Sequence, residues 1–492
     1  MYSLYALINP HSAMKEAKSV FVSLAALLIS LALAPGTPPA AVAYTPFSDA
    51  EPVLDALAEV LPPGLRAKSH PELESMWPSW VKSRDAEIRE RLNQGDEDTI
   101  INLLLFGTSF TQEPRLTAAQ LKKLSPDPTQ VVEGEPGTQV RALIQSRVQD
   151  LIIGMDSPGN NERLLFARKV AERAGIKFSD ADGKEEAAHY LYEKYLRVLR
   201  EQSSYQQLLA AAHSLGDPTE EFAERSKIYK DRGLSLDTSL PPDFALEVAL
   251  TRMRDRGLLS AGSVRRVGII GPGLDFTDKQ EGYDFYRTQT VQPFAVMDSL
   301  VRLGLVKPEK LEVDSFDLSS RVLEHVERAR RAALQGRPYT IQLPRDPLRG
   351  WKPELVAYWK RFGDQIGSSV PPVAVPPSLH GIESRAVSVR PTFVKRIRAL
   401  DMNIVLQREE LPEKEKFDLL VATNVLVYYD TFEQSLALTN IQSMLRPGGF
   451  LLTNNLLLEL SSLKMRSGDY VSVEYSSRPA DGDRILWYRR LP

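Results

Sequence analysis

Cysteine is absent from all 492 residues, which removes disulfides, thiolate nucleophiles and cysteine-ligated zinc from the chemistry open to the chain and leaves no disulfide partner to seek. Compartment is not decided by this, because a chain without cysteine tolerates oxidising and reducing surroundings alike. Histidine is scarce. His11, His70, His189, His213, His325 and His380 are scattered, none lies four residues from another, and no metal site is expected. Charge of one sign is missing too: 61 basic against 64 acidic side chains leave a formal net charge of -3, so no overall field favours nucleic acid or an anionic membrane surface.

A long apolar run is also lacking. The stretch from Val20 to Ala34 falls short of the roughly 20 residues that a spanning helix needs. It follows Lys15 and Lys18 and precedes a proline-rich stretch and Ala41-Val42-Ala43. That order matches the basic, apolar and small-residue regions of a secretory signal peptide, so residues 1–43 are expected to be a signal peptide or an uncleaved N-terminal anchor. Either version exports the remainder to the periplasm or the exterior, because the basic residues flank the run on its N-terminal side and the next one is Arg66. The bland alternative is an amphiphilic tail ahead of a start at Met14.

What is present is ordinary for a globular chain, with 43% hydrophobic and 25% charged residues, and the length allows more than one core. Residues 44–259 carry helical spacing: Leu54, Leu57 and Val60; Ile88 and Leu92; Ile100 to Leu105; Val140, Ile144, Val148, Leu151 and Ile152. No period repeats, so an all-α domain of irregular helices is expected. Within it Asp180-Ala181-Asp182-Gly183 lacks the other ligands of a calcium loop and reads as a turn and helix cap.

From residue 260 to 492 the pattern changes. Val267-Gly268-Ile269-Ile270, Leu311 to Phe316 and Phe417 to Ala422 are short buried-strand runs, with helical spacing at Phe294, Met297 and Val301, at Val322, Val326 and Ala329, and at Phe432, Leu436 and Ile441. Strands alternating with helices predict an α/β Rossmann-like domain, its sheet mostly parallel and helices on both faces, with an insertion at about 340–395. In such sheets ligands bind at the C-terminal strand ends. Gly271-Pro272-Gly273 follows the first strand, where glycines let backbone amides approach a ligand or merely make a turn. Asp317 ends the second strand, able to accept both hydroxyls of a ribose or to cap the next helix with Ser319 and Ser320.

The third region is more specific. Phe417-Asp418-Leu419-Leu420-Val421-Ala422-Thr423-Asn424-Val425-Leu426-Val427-Tyr428-Tyr429-Asp430, a helix, and then Leu445-Arg446-Pro447-Gly448-Gly449-Phe450-Leu451-Leu452 resembles the fourth and fifth strands of class I S-adenosylmethionine-dependent methyltransferases. The likeness is greatest to the chemotaxis-receptor glutamate methyltransferases, and Phe316-Asp317-Leu318-Ser319-Ser320-Arg321 looks like their second-strand motif. It covers the chain from Val267 onward and none of the helical half.

The resemblance implies S-adenosylmethionine as a small-molecule cofactor, with Gly271 and Gly273 at its methionine end and Asp317 at its ribose. It places Thr423 and Asn424 under the methyl group, and Gln407 and Arg408 where the family often has an acidic and a small residue beside adenine. Tyr428 matches a family tyrosine, and Tyr283 and Tyr286 either line the pocket or simply pack. The acceptor, a small molecule or a protein side chain, stays unnamed. Three departures stand out: Asp275 occupies the place of the motif's third glycine, where it is a candidate for the methionine amino group; Ile269 stands where the motif has an acidic residue; and a loop from Leu274 to Gln292 delays the following helix. A nicotinamide-dependent oxidoreductase fits less well, because Gly271-x-Gly273-x-x-Phe276 lacks the last glycine of that fingerprint. The competing class is an exported, non-catalytic binding or scaffold protein with a degenerate methyltransferase fold, since fold alone does not establish activity.

Overall fold

The computed structural model describes residues 41–116, 120, 135–178, 181–214, 229, 232–277, 283–478 and 481–492. The basic and apolar stretch from Lys15 to Ala34 lies outside them, as does Asp180. Residues 42–492 form one compact unit.

Seven strands make the central sheet, and the chemistry of the inner ones follows from burial on both faces. The first, β2 (Arg266–Ile270), and β9 (Phe417–Ala422) are buried at every position, as continuous apolar runs in a doubly covered sheet should be. With β3 (Glu312–Asp317), β7 (Ile397–Asp401), β10 (Leu445–Thr453), β11 (Met465–Glu474) and β12 (Gly482–Arg490) they run in the order β11-β12-β10-β9-β2-β3-β7. The pairs among β10, β9, β2, β3 and β7 are parallel, and β12 is antiparallel to both its neighbours. The expected architecture, a mostly parallel α/β sheet preceded by a helical region, is therefore the one observed.

Alternation along a strand distributes its side chains between two cores. Leu419 and Val421 join a core with the helices Leu240–Asp255 and Gln292–Arg302, while Leu420 and Ala422 join one with the helix Thr431–Met444. That second core also takes Leu73, Trp77, Val81 and Ile88 from the helix His70–Phe106. The far end of the same helix, Ile100 to Leu105, contributes to a third core with Glu135–Asp156, Glu162–Arg173 and Ala181–Ser214. One helix is thus shared between the helical half and the sheet.

Two smaller sheets complete the fold. The inserted segment holds β4 (Tyr339–Arg345), β5 (Gly367–Val370) and β6 (Glu383–Val389), an antiparallel sheet in the order β4-β6-β5. A two-stranded sheet joins β1 (Ala41–Tyr44) to β8 (Gln407–Glu410). Among the described residues, no helix is long and apolar enough to cross a membrane.

Candidate functional site

The strand order fixes where a ligand site belongs. The chain leaves β2 toward β3 on one side, while β9 flanks it on the other, so connections depart in opposite directions and leave a crevice at the C-terminal ends. A cavity of about 120 Å³ lies there, lined by Gly271, Gly273, Asp317, Thr423, Asn424 and Tyr428 from the strand ends. These six expected residues converge on one place.

Each is held by its local backbone. Gly271 and Gly273 both have left-handed conformations, φ 66° and 65°, which a side chain would resist. Close approach also requires them to be glycines: a Cβ on Gly271 would sit 2.6 Å from Val425 Cγ2, and one on Gly273 would sit 2.5 Å from Leu236 O. Asn424 adopts φ 58°, an uncommon conformation for a residue with a side chain. Its main-chain N–H donates to Asn454 Oδ1 at 2.9 Å and its side-chain Oδ1 accepts from Asn454 Nδ2 at 2.6 Å, which holds the strained turn at the end of β9.

Asp317 is buried, and its Oδ1 accepts from Ser319 N at 2.8 Å. Burial pushes the carboxyl up to about 6, against the opposing pull of the Ser319, Gly273 and Leu318 amides and of Arg321. The helix Ser320–Leu334 is capped at Ser319 without a side-chain hydrogen bond, so Asp317 holds the turn ahead of that helix and, through the Gly273 amide, the glycine turn, rather than capping the helix itself.

The other five candidates lie elsewhere. Gln407 and Arg408 belong to β8, which pairs with β1; Gln407 Oε1 accepts from Asn403 N at 2.9 Å, and Arg408 pairs with Asp49 and reaches Ser443 Oγ at 3.4 Å. They turn away because the chain after β7 makes a tight turn through Asn403, leaving Met402 and Ile404 on the cavity wall in their place. Asp275 is not among the cavity's lining residues; its buried carboxylate accepts from Tyr286 Oη and Gln289 Nε2 at 2.8 Å each. Tyr283 and Tyr286 are buried against the helical half, Tyr283 under the Arg115 guanidinium and Tyr286 with its carbonyl bound to Arg163.

The described part of the loop from Leu274 to Gln292 therefore does not plug the crevice. Asp284 pins it outward: Thr108 N and Oγ1 donate to its Oδ1 at 2.7 and 2.6 Å, and Ser109 N and Oγ to its Oδ2 at 3.1 and 2.6 Å. A different segment crosses the site. Residues Leu234 to Ser239 line the cavity as a strap, joined to the glycine turn by Leu274 N to Leu236 O at 2.8 Å and Thr238 N to Leu274 O at 3.2 Å.

Sequence reasoning missed that strap, and it missed Gln292. The Gln292 side chain, 4% exposed, donates from Nε2 to Thr423 Oγ1 at 2.8 Å and to Asp243 Oδ1 at 3.3 Å. Its Oε1 lies buried without a hydrogen-bond partner among the described residues, although the residue lines the cavity. The available signal was position alone, at the first residue of the helix after the glycine turn.

No protein-family model matches the chain, and no curated protein does. Solved structures similar to it include the N-methyltransferase NodS from Bradyrhizobium japonicum WM9, with 12% identity over 50% of this chain and 95% of that one at a TM-score of 0.25. Magnesium protoporphyrin IX methyltransferase from Synechocystis PCC 6803 with bound SAM shows 11% identity over 50% of this chain and 79% of that one, TM-score 0.24. TrmN from Thermus thermophilus shows 15% identity over 51% of this chain and 52% of that one, TM-score 0.24.

Proposed function

We propose that the crevice between β2 and β9 binds S-adenosylmethionine and that the protein is a methyltransferase acting on a small molecule or a protein side chain. The observation that carries this reading is the convergence of Gly271, Gly273, Asp317 and Thr423, far apart in the chain, on one cavity. The residues present suit such a ligand. Asp317 offers a carboxylate to ribose hydroxyls, and Phe316, Leu318, Met402 and Ile404 offer apolar surface for a base. Gln292 Oε1 adds a buried acceptor with no hydrogen-bond partner among the described residues.

The bound cofactor would supply a methyl group already activated by its sulfonium. The chain's own part is to bind, to align and to exclude water. Gly271 and Gly273 let the backbone approach, Asp317 fixes the nucleoside, and Thr423 and Asn424 form the floor beneath the transferred group. A carboxylate acceptor would need no general base here, whereas an amine or hydroxyl would. The finer likeness to glutamate methyltransferases of chemotaxis receptors rests on the sequence motifs from Phe417 to Leu452.

One observation favours the non-catalytic alternative. At about 120 Å³ the cavity is small beside ligand pockets of roughly 300–1,000 Å³, so a nucleoside with an amino-acid tail requires the strap or the Tyr428 turn to draw back. Calorimetric titration with S-adenosylmethionine and with S-adenosylhomocysteine decides between them. Saturable heat with either supports the enzyme; its absence in a folded sample supports the scaffold.

Export is part of the proposal, on the strength of the leader-like order of Lys15, Lys18, the apolar run and Ala41-Val42-Ala43. It sets a question of supply, because the proposed cofactor is a cytoplasmic metabolite. Fractionation of expressing cells, followed by N-terminal sequencing of the mature chain, tests it.

A further inference from the structure

The crevice lies at the C-terminal ends of the parallel strands, and the opposite edge of the sheet carries a different chemistry. Strands are entered there through basic side chains: Arg265 before β2, Lys307 and Lys310 before β3, Lys414 and Lys416 before β9, and Arg446 at the start of β10. All six line one cup of about 450 Å³, which has only two acidic residues in its wall. Those two neutralise two of the six, Asp418 pairing with Arg446 and Glu413 with Lys416. Arg265, Lys307, Lys310 and Lys414 have no carboxylate partner among the described residues. In a chain with a formal net charge of -3, this is a local concentration of positive charge.

The chain enters the fold at the same edge. Thr45, directly after β1, donates its N–H to the carbonyl of Leu406, directly before β8, at 2.9 Å. The end of β1 therefore meets the start of β8, and β1 begins at the Glu410 end. That end lies by the entry to β2, since Glu409 pairs with Arg398 and comes within 3.9 Å of Arg266, and the next loop carries Lys414 and Lys416. Ala41-Val42-Ala43, the small residues at which a leader would be cut, are themselves part of β1. Cutting there would strip β8 of its partner strand.

We propose that the leader is retained as a short apolar anchor and that the basic cup lies against the anionic phospholipid headgroups of the membrane holding it, so that the crevice opens away from that surface. The inference rests on the leader-like reading of the sequence ahead of β1 and is independent of what the crevice binds. The apolar run from Val20 to Ala34 is shorter than the roughly 20 residues of a spanning helix, and a weak apolar anchor holds stably only when a second signal, such as a basic patch, acts with it. Each lysine or arginine near an anionic surface strengthens partitioning by roughly fivefold, so three unpaired lysines together supply a factor on the order of 100.

The test uses the full chain with vesicles of phosphatidylcholine alone or mixed with phosphatidylglycerol. At low salt the mixed vesicles should bind it about 100-fold more tightly, and the preference should fade as salt screens the surface. In Lys307→Gln/Lys310→Gln/Lys414→Gln the preference should disappear while the unfolding midpoint stays native, because all three side chains are exposed. Orientation is read separately. The chain has no cysteine, so a single fluorophore can be placed at Glu309→Cys beside the cup, or at Ser477→Cys, exposed after β11 at the crevice end of the sheet. Spin-labelled lipid should quench the first and spare the second. Equal partitioning onto both kinds of vesicle, equal quenching at the two positions, or a mature chain that begins at Tyr44 overturns the inference. Saturable heat with inorganic phosphate and no preference between vesicles would make the cup a site for a soluble anion, which overturns it as well.

Discussion

Arg91 donates from Nη2 to the main-chain carbonyl of Tyr428 at 3.0 Å, across 337 residues of sequence. The same guanidinium reaches Tyr229 O at 3.1 Å and Arg232 O at 3.0 Å. It ties the helix His70–Phe106, the approach to the strap and the turn after β9 to a single side chain. Burial lowers its proton affinity, so the ties work by donation to carbonyls within a protected site. Backbone contact reinforces them: a Cβ on Gly95 would lie 1.9 Å from Leu234 O, close enough that only glycine fits.

Replacing Arg91 with leucine should therefore loosen the strap and the Tyr428 turn together. It leaves three carbonyls short of a donor, and a cost of about 1–3 kcal/mol is expected. Urea denaturation should show a lower midpoint, and calorimetry should show weaker nucleoside binding. A variant with native stability would mean that water replaces the guanidinium, and that the helical half does not hold the crevice together through this residue.

Asp317 supports a second prediction, which depends on pH. Its carboxyl, pushed up to about 6 by burial, is ionised at neutral pH and takes a proton as the solution becomes more acidic. The ionised form accepts from ribose hydroxyls and the protonated form loses an acceptor, so affinity for methylthioadenosine should fall as pH drops through about 6. Asp317→Asn should abolish that dependence and weaken binding at neutral pH. Alanine is a poorer probe, because it strips the Ser319 amide of its partner and adds a folding cost of about 1–3 kcal/mol. A flat binding profile in the native protein between about pH 5 and 8 contradicts the ribose role.

The inner strands β2, β3 and β9 were legible in the sequence because they are buried on both faces, which writes them as apolar runs such as Val267 to Ile270, whereas β7, β11 and β12, partly exposed, carry no such run. The residues at their ends were legible for the same reason, since Gly271, Asp317 and Thr423 sit where each run stops. Gln407 and Arg408 were misplaced by a turn: Asn403 Oδ1 accepts from Val405 N at 3.2 Å, and this local bond redirects the chain into pairing with β1. Periodicity does not report such turns. The strap was invisible because the alternation in Leu234-Ser235-Leu236-Asp237 is too short to mark an element, and its role comes from contacts with Gly95 and Gly273 distant in sequence. The helical half gave its helices but not its attachment, which depends on Trp77, Val81 and Ile88 fitting against the sheet's own helix.

Gly273 is the point where strap and glycine turn meet. A Cβ there would lie 2.5 Å from Leu236 O in a left-handed backbone. Alanine at this site faces about 1–2 kcal/mol of backbone strain and also displaces Leu236. Thermal unfolding of Gly273→Ala should begin at lower temperature, and amide hydrogen exchange in Leu234 to Ser239 should accelerate. Native exchange rates in that segment would show that the strap is held by α-helical contacts alone.

Asp243 gives the prediction that is independent of any ligand. It is 1% exposed, one carboxyl oxygen has no partner among the described residues, and burial raises its pKa to about 8 against the modest opposing effect of Gln292. In the unfolded chain the same group titrates near 3.9. The folded protein consequently holds the proton more tightly, and between these two values the native state binds more protons than the unfolded one. Stability must then decrease as pH rises from about 4 to about 8 and level off above, at up to about 1.4 kcal/mol for each unit separating the two titrations. Asp243→Asn keeps an oxygen for Gln292 Nε2 and has no proton to lose, so its stability should lack this decline. Measured side by side, the variant should gain on the native protein steadily through neutral pH and exceed it by a few kcal/mol near pH 9. Parallel curves across that range would place a second group or a water beside the unpaired oxygen, and the Asp243 carboxyl would then be ionised in the fold.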